Sequence, residues 1–351
     1  MSTALPVLFV LLLVPLLYSL VLTLILRRGA PLLGLVDRPS ERKVHTRPVP
    51  KGGGLAMFLA LALSTALFAV VGLPLGNWRW VIDEQALLRE TGVLLGIGSA
   101  IVLLGFIDDL RPLPWQLRLA VQTATAAGAV ALWPCEAGWL LRLLAVLWIV
   151  GLTNAFNMLD NMDALSGGVA GIAAALLAAA VRIRLGALEW LQAAPFVMLL
   201  GAVAGFLWFN RPPARVFMGD AGSTFLGFFL GVRSLDGGPV ALADWRTWLV
   251  PVCVLALPWY DLIVVVAIRL AQGRSPFYAD KQHLSHRLVA RGLSPVAAVG
   301  VIHLLALASG IAGLWFYALS ESAAILLAVG LSLCWTAGGV LDYLSWRRRG
   351  R

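Results

Sequence analysis

The sequence predicts an all-α, polytopic integral membrane protein that forms a single membrane-embedded domain over residues 1–351. Of the 351 residues, 60% are apolar and only 13% are charged, and the mean hydropathy is +0.87. Soluble domains average about 45–50% apolar and about 25% charged residues, so this chain lacks the polar residues that would cover a water-exposed surface. Its apolar runs are repeatedly about 18–22 residues long, which is the length that crosses a bilayer as a helix.

Eleven hydrophobic segments follow one another along the chain, and each is predicted to be a transmembrane helix. They span residues 4–26, 53–74, 91–108, 116–133, 139–156, 165–182, 190–209, 217–233, 247–268, 296–317 and 323–345. The first segment has no Lys or Arg before it and no small-residue cleavage site, so we expect a retained helix rather than a signal peptide. The three cysteines lie singly in or beside apolar stretches and predict neither a disulfide framework nor a metal site.

The distribution of basic residues predicts the orientation in the membrane. With the N-terminus outside and eleven spans, 20 of the 27 Lys and Arg residues lie at or near the cytoplasmic side. Cytoplasmic loops carry an excess of Lys and Arg, so this asymmetry supports an outer N-terminus and a cytoplasmic C-terminus. It also accounts for the net charge of +9 without a nucleic-acid partner.

The first cytoplasmic loop, residues 37–54, is basic and ends in three glycines. Arg42, Lys43, His45 and Lys51 are candidates to hold phosphate groups. The backbone N–H groups of residues 52–54, at the start of the second helix, are candidates to approach an anion. An ordinary positively charged loop with a flexible entry to the helix is the equal alternative.

Two adjacent carboxylates, Asp108 and Asp109, end the third hydrophobic segment. Adjacent acids at a membrane boundary are costly unless they are paired or bind a metal. Hard oxygen ligands suit Mg²⁺, which usually takes one or two carboxylates together with substrate phosphates. The pair is therefore a candidate catalytic or metal-binding site, and a solvated helix end is the alternative.

Polar residues also follow the fifth segment, where the chain reads Asn154-Ala-Phe-Asn157-Met-Leu-Asp160-Asn161-Met-Asp163. The spacing of three and four residues places Asn157, Asp160 and Asn161 near one face, if this stretch is helical. Amides and carboxylates in such an apolar chain need partners, which are either one another or a ligand.

The eighth segment opens with Phe217-Met-Gly-Asp220-Ala-Gly-Ser223. Asp220 fits either a helix cap or a ligand site, since the glycines around it allow close approach. Gly227 and Gly231 form a GxxxG pair, which predicts helix packing and is also compatible with a homodimer.

The last cytoplasmic loop and the segment before it contain a further group of ionisable residues. Asp261 lies inside the ninth segment after Pro258 and is predicted to be either functional or a hydrogen-bond acceptor at a helix break. His283, His286 and Arg287 lie at helical spacing, which suits binding of a diphosphate or a nucleotide.

These polar segments all fall on the predicted cytoplasmic side. A secondary transporter, which is the main alternative from another class, places its substrate site near the bilayer midplane. Clustering at one rim suits chemistry between a water-soluble substrate and a membrane-embedded one.

Together, these motifs resemble those of the polyprenyl-phosphate N-acetylhexosaminyl-1-phosphate transferases, glycosyltransferase family 4. The resemblance extends over nearly the whole chain. It rests on residues 37–54, Gly105-Phe-Ile-Asp108-Asp109, Asn154 to Asp163, Phe217 to Ser223, Pro258-Trp-Tyr-Asp261 and His283 to Leu288.

The chain departs from the family pattern at four positions. Pro112 stands at the third acidic position of the aspartate-rich motif, Asn161 and Ala164 replace the two glycines of Asp-Gly-x-Asp-Gly, and Ser285 lies inside the histidine cluster. The triple-histidine motif of the MurNAc-pentapeptide phosphotransferase branch is also missing, so that branch is the less favoured alternative within the family.

The resemblance implies transfer of a sugar 1-phosphate, with GlcNAc 1-phosphate favoured, from a UDP-N-acetylhexosamine to undecaprenyl phosphate in the bacterial inner membrane. It implies Mg²⁺, or alternatively Mn²⁺, as the cofactor, and membrane lipid as a partner. The implied metal ligands are Asp220, Asp108 and Asp109; the two adjacent acids are also candidates for a base or a nucleophile. Asp160 and Asp163 are implied catalytic residues, and the substrate-binding set is Arg42, Lys43, His45, Asn157, Asn161, His283, His286 and Arg287.

Overall fold

The computed structural model describes residues 4–37, 47–71, 84–132, 138–186, 190–236, 239–241, 243–278 and 280–349, and these residues are almost entirely helical. In chain order the helices are α1 (Ala4–Gly29), α2 (Gly53–Val71), α3 (Glu84–Leu110), α4 (Trp115–Ala131), α5 (Trp139–Leu159), α6 (Leu165–Leu185), α7 (Ala194–Asn210), α8 (Asp220–Arg233), α9 (Trp245–Val254), α10 (Ala256–Ala271), α11 (Leu284–Val289), α12 (Pro295–Leu314) and α13 (Glu321–Arg349). Each of the eleven predicted hydrophobic segments contains a helix or, in one case, two.

The ninth predicted segment, residues 247–268, is not one straight helix. It consists of α9 and α10, whose axes differ by 68° across a break at Leu255. Pro258 explains the break, because proline has no N–H to donate to the carbonyl of Val254 and its ring clashes with that carbonyl. Asp261, three residues after Pro258 in α10, is buried.

Eight described helices are long and apolar enough to cross a membrane, or nine if α9 and α10 together count as one span. Large apolar side chains face outward along them, for example Leu326, Leu304 and Leu341, which are 74%, 67% and 66% exposed. Such extensive exposed apolar surface is found on proteins that face lipid. The chain is therefore a polytopic membrane protein, and α4 and α8, with 17 and 14 residues, are not among these eight helices.

Helix α8 lies at the centre of the bundle and is buried on nearly every face. It packs against α5, α3 and α2, while α1 packs on α7 and α2, and α12 packs on α6 and α9. Gly227 and Gly231 make the contact of α8 with α5, where added methyl groups would meet the backbones of Leu152 and Ile149. The GxxxG pair thus serves helix packing inside the protomer, and its glycines are not exposed for a dimer contact.

Two elements were not predicted. A two-stranded antiparallel sheet pairs β1 (Val36–Asp37) with β2 (Val49–Pro50), so the fold is all-α apart from this small ribbon. Helix α11 is a short helix in the last predicted cytoplasmic loop. Both elements are too short for a periodic pattern in the sequence, and tertiary contacts hold them in place.

Candidate active site

The segment after β2 and the segment before α8 are joined by backbone hydrogen bonds. Phe217 donates its N–H to the carbonyl of Pro50 at 2.8 Å, Gly53 donates to Phe217 at 3.0 Å, and Gly54 donates to Met218 at 2.9 Å. The N–H groups of Gly53 and Gly54 are therefore engaged within the protein. The predicted anion site at these two groups is wrong, because packing of α2 on the loop before α8 uses the donors.

Glycines also allow the backbones of α2, α3 and α8 to approach one another closely. A methyl group on Gly105 of α3 would lie 2.5 Å from the Cα atom of Ala221. A methyl group on Gly54 of α2 would overlap the backbone of Gly222. Asp108 and Asp109 follow Gly105 by three and four residues, so this contact brings them to the N-terminus of α8 and to Asp220.

Asp108 is held by several donors at the end of α3. Its Oδ1 accepts the N–H of Leu113 at 2.5 Å, and its Oδ2 accepts from Arg118 Nη1 at 2.8 Å. The same Arg118 nitrogen lies 3.7 Å from Asp220 Oδ2. The carboxyl groups of Asp108 and Asp220 are themselves within hydrogen-bonding distance. Arg118 therefore partly neutralises two acids that lie against each other.

Asp109 has different partners and is the more deeply buried of the adjacent acids. Its Oδ1 lies 3.1 Å from Lys51 Nζ, and its Oδ2 accepts the N–H of Ala221 at 3.3 Å. Burial alone would lower the pKa of Lys51, but the charge and hydrogen bond of Asp109 outweigh it, so the pKa lies above its usual value. Lys51 is consequently a cation at neutral pH, directly beside the carboxylates.

The donor set fits a magnesium ion only if substrate oxygens complete it. Within the described ranges, no group of three or more His, Cys, Asp or Glu side chains is arranged to hold a metal ion by itself. Asp108 and Asp220 nevertheless meet as a pair of hard oxygen ligands, and the Asp220 side chain is 37% exposed. Mg²⁺ commonly binds one or two carboxylates plus substrate phosphates, so this pair suits it, while Asp109 is directed to Lys51 and to the backbone of α8.

The polar stretch after α5 divides into two groups in the structure. Asp160 is half-buried, and its removal from water together with the nearby charge of Asp109 raises its pKa to about 7. Asn157 is also half-buried. Asp163 instead accepts the N–H of Ala214 at 2.8 Å and so fixes the loop that leads to α8.

Ala164, next to Asp163, has a left-handed backbone with φ of 60°. Glycine adopts this conformation without steric cost, whereas a Cβ atom is disfavoured there. The family pattern has glycine at this position, and the geometry explains why. The N–H of Ala164 is bound by Asn210 Oδ1 at 2.9 Å, which helps to hold the turn.

Helix α11 brings the histidines to the same end of the bundle. Asp261 Oδ2 lies 2.7 Å from His283 Nδ1, and Asp261 Oδ1 accepts the N–H of Leu284 at 2.6 Å. Ser285 donates its hydroxyl to Asn161 Oδ1 at 2.5 Å, which ties α11 to the polar stretch after α5. Asp261 is therefore a hydrogen-bond acceptor, but its partners lie at the start of α11 and not at the break between α9 and α10.

The two histidines have different surroundings. His283 is buried, and its Nδ1 is engaged by Asp261, which leaves Nε2 as the ring nitrogen for a ligand. His286 lies with its ring centroid 6.4 Å from that of His283. Burial, followed by the nearby His283 and Lys281, lowers the pKa of His286, so its imidazole is neutral at pH 7.

Arg287 does not face an open site. Its guanidinium is only 7% exposed and lies 3.1 Å from Asp342 Oδ2 and 3.9 Å from Asp261 Oδ1. This placement makes Arg287 a buried ion-pair partner rather than the substrate contact expected from sequence. Arg42, Lys43 and His45 lie outside the described residues.

Sequence reasoning missed Arg118 as a site residue, although it lies one turn into α4 and close in sequence to the Asp108–Asp109 pair. Lone arginines at membrane boundaries are common, so its position alone carried no signal. It also missed Asp342, an acid within an apolar helix, which is a signal that warrants attention.

Comparison with known proteins gives a consistent result. Residues 91–238 match the family described as Glycosyl transferase family 4. A probable undecaprenyl-phosphate N-acetylglucosaminyl 1-phosphate transferase of Bacillus subtilis is 32% identical over 83% of this chain and 80% of the relative. A decaprenyl-phosphate N-acetylglucosaminephosphotransferase of Mycobacterium tuberculosis is 31% identical over 92% of this chain and 85% of the relative. An undecaprenyl-phosphate alpha-N-acetylglucosaminyl 1-phosphate transferase of Thermotoga maritima is 28% identical over 76% of this chain and 77% of the relative.

The matches to the three relatives span most of both chains, and the family match over residues 91–238 contains Asp108, Asp109 and Asp220. The chain therefore belongs to glycosyltransferase family 4.

Proposed function

We propose that the protein transfers N-acetylglucosamine 1-phosphate from UDP-N-acetylglucosamine to undecaprenyl phosphate. The observation that carries this proposal is the meeting of Asp108, Asp109 and Asp220 with Lys51 and Arg118 at one end of a membrane bundle. The names of the relatives support the donor sugar, and those from B. subtilis and T. maritima support the undecaprenyl acceptor. The product would start synthesis of a cell-envelope polysaccharide.

The proposal includes a location. It assumes eleven spans with an outer N-terminus in the bacterial inner membrane, so that the site lies at the cytoplasmic face, where UDP-sugars are available. The excess of basic residues on this side supports that orientation. The acceptor then reaches the site from the membrane, and the donor reaches it from the cytoplasm.

The reaction exchanges one phosphoanhydride for another. An oxygen of the acceptor phosphate attacks the sugar-linked phosphorus of the donor and forms the new P–O bond. The bond to the UMP oxygen breaks, and its electron pair leaves with UMP. A phosphate monoester has a second pKa near 6, so the acceptor is mostly dianionic at neutral pH and needs no strong base. Since similar bonds form and break, the reaction should be reversible.

Three phosphoryl groups meet in the site, and their negative charge must be compensated. The carboxylate cluster, which consists of Asp108, Asp109 and Asp220 with Lys51 and Arg118, is proposed to do this. Asp108 and Asp220 would hold Mg²⁺, which supplies charge neutralisation at bridging phosphoryl oxygens when bound. Lys51 and Arg118 lie beside these acids and are placed to bind phosphate oxygens once a divalent cation shares the carboxylates. Asp109 orients Lys51 through the 3.1 Å contact. A two-step route through an aspartyl phosphate remains the mechanistic alternative.

Helix α11, together with His283 at its start, and the polar stretch after α5 are proposed to bind the donor. His283 is fixed by Asp261 through Nδ1 and keeps Nε2 for a ligand, and neutral His286 offers a hydrogen bond without adding charge. Asn157 and Asp160 are half-buried, Asp160 lies close enough to Asp109 to feel its charge, and Asn161 is held by Ser285. Arg42, Lys43 and His45 are proposed to contact phosphate from the loop before β2.

The test is transfer of label into lipid by the purified protein in detergent. UDP-N-acetylglucosamine labelled in the sugar is incubated with undecaprenyl phosphate and Mg²⁺, and label is counted in the organic extract. Parallel reactions use UDP-N-acetylgalactosamine and UDP-MurNAc-pentapeptide as donors, and EDTA or Mn²⁺ in place of Mg²⁺. We expect label in the lipid only when UDP-N-acetylglucosamine is the donor, and we expect EDTA to abolish it.

No transfer from any of these donors by folded protein would contradict the proposal. Release of UDP-sugar from the labelled lipid on addition of UMP tests reversibility. Exchange of labelled UMP into UDP-N-acetylglucosamine without acceptor would favour the two-step route, and its complete absence would argue for direct attack.

A further inference from the structure

Helix α13 carries a buried acid, Asp342, whose ion-pair partners are Arg287 and Arg291 rather than residues of the carboxylate cluster. We infer that Asp342 is a positioning residue for donor binding, because it holds Arg287 and thereby sets the orientation of α11 and His283. This inference rests on the proposed function, in which the α11 histidines bind the UDP-sugar.

Both carboxylate oxygens of Asp342 accept hydrogen bonds, from α10, from α11 and from the turn after α11. Its Oδ2 accepts from the hydroxyl of Tyr260 at 2.7 Å and from Arg287 Nη2 at 3.1 Å, and its Oδ1 accepts from Arg291 Nη2 at 2.6 Å. Asp342 is 4% exposed. An acid inside an apolar helix is costly unless such partners satisfy it, so this arrangement has a specific purpose in the fold.

The contacts continue from Asp342 to the histidine. Arg287 Nη2, 3.1 Å from Asp342, is also 3.9 Å from Asp261 Oδ1, and Arg287 Nη1 donates to the carbonyl of Gln282. Asp261 in turn holds His283 Nδ1. Four side chains therefore form a continuous chain from the last helix to the first residue before α11.

Charge balance explains why Asp342 affects Asp261. Asp261 and Asp342 share the buried Arg287, and Arg291 adds a second positive charge on the far side of Asp342. Without the charge of Asp342, Asp261 is the carboxylate nearest to Arg287, and the 3.9 Å separation is expected to close. Asp261 Oδ1 already accepts the N–H of Leu284, so a closer arginine would compete for that oxygen and rotate the start of α11.

A purely structural ion pair would behave differently. Arg291 binds the same carboxylate at 2.6 Å, but no contact to Asp261 is found for it among the described residues, and its side chain is 33% exposed. If Asp342 only fastened α13 to α11, loss of Arg291 would resemble loss of Asp342. If Asp342 acts through Arg287, only the Asp342 variant should disturb donor binding.

The experiment compares Asp342→Asn with Arg291→Gln in the full-length protein. Equilibrium binding of labelled UDP-N-acetylglucosamine is measured without acceptor, and steady-state rates are measured while each substrate is varied. Displacement of binding groups by about 1 Å reduces efficiency by as much as about 100-fold. For Asp342→Asn we expect a rise of at least about tenfold in the Kd and KM of the donor, with the KM of undecaprenyl phosphate unchanged.

Several results would overturn the inference. One is an unchanged donor Kd in Asp342→Asn, and another is an equal rise of the donor Kd in Arg291→Gln. A third is a fall in kcat with neither KM altered, since that result reflects only a smaller folded fraction of the protein. If Asp342→Asn does not fold, Asp342→Glu decides, because it keeps the charge and moves the carboxylate. A raised donor Kd in that variant supports the inference, and an unchanged Kd contradicts it.

Failure of the proposed function is a separate result. A wild-type protein that binds no UDP-N-acetylglucosamine and labels no lipid would contradict the function itself. A wild-type protein that does both, with an Asp342→Asn variant that matches it, would contradict only the role of Asp342.

Discussion

Two groups of ionisable residues at the same end of the bundle differ in charge balance and in access to solvent. The carboxylate cluster has three acids and two bases, and Asp220, Arg118 and Lys51 retain side-chain exposures of 37%, 34% and 25%. The α11 network has two acids and two arginines: Arg287 lies beside both Asp261 and Asp342, Arg291 binds Asp342, and both acids are nearly inaccessible.

This difference in exposure and charge balance predicts that the first group binds ligands and that the second group positions other side chains. An accessible cluster with excess negative charge gains free energy when a divalent cation or another cation joins it. A buried and balanced network gains nothing from a further ion and instead fixes geometry, since breaking one partner leaves an uncompensated charge. The first group is therefore expected to contact the reacting phosphates, and the second to hold the residues that contact the donor.

The strongest test of this comparison is removal of one charge from the cluster. Asp108→Asn and Asp220→Asn are each expected to lower kcat by at least about 10³-fold, because a metal ligand contributes several kcal/mol to transition-state stabilisation. The measurement is label transferred to lipid at saturating substrates. Asp244→Asn is the matched control, because Asp244 caps α9 beside Arg246 and asparagine caps equally well. Comparable loss in the control would refute the assignment.

A second test disturbs the cluster through packing alone. Gly105→Ala places a methyl group against the backbone of Ala221 and is expected to lower the free energy of unfolding by about 1–3 kcal/mol. It should also reduce kcat at least about tenfold by separating Asp108 from Asp220.

Gly96→Ala in the same helix is its control. No atom lies within 4 Å of the added methyl group there, so the variant should be as stable as wild type or more stable by about 0.5–1 kcal/mol. Thermal unfolding in detergent and the transfer assay are measured for both. Equal behaviour of the two variants would show that close approach of α3 and α8 is dispensable.

A third test asks whether ionisation of the Asp160 carboxyl group stabilises or destabilises the folded protein. The pKa of Asp160 is raised to about 7 in the folded protein from 3.8, so ionisation destabilises the fold increasingly between these values and fully above pH 7. Asp160→Asn should therefore raise Tm by a few degrees at pH 8 in metal-free buffer, leave it unchanged near pH 4, and reduce transfer.

Asp261→Asn should have the opposite effect on stability. It leaves Arg287 with one fewer acid and should lower Tm at pH 8. A higher Tm for Asp261→Asn, or a lower Tm for Asp160→Asn, would contradict the opposite effects on stability expected for these two carboxyl groups.

The smallest expected effect comes from Ala164, at the turn between α5 and α6. Ala164→Gly should stabilise the protein by about 0.5–1 kcal/mol, because it relieves the left-handed backbone at φ 60°. Transfer should be unchanged. Ala127→Gly, in the exposed part of helix α4, should instead cost about 1 kcal/mol. Destabilisation by Ala164→Gly would show that the alanine methyl group is needed there.

Much of the site was predictable because its residues are chemically unusual in an apolar chain. Asp108, Asp109, Asp220 and His283 stand out against apolar neighbours, and their burial or clustering agrees with that signal. Arg287 was misassigned, because sequence spacing places it on one face with the histidines but does not reveal the carboxylates on either side of it.

The sequence by itself determined the class of fold and the positions of its apolar helical segments, and it predicts the end of the bundle that carries the chemistry. These follow from local composition and from periodic spacing, which need no knowledge of distant residues. Tertiary structure alone decided the pairing of Lys51 with Asp109, the place of Arg118 between two acids, and the contact of Asp342 with α11. These contacts join residues far apart in the chain, and only the packed positions of the helices set their distances.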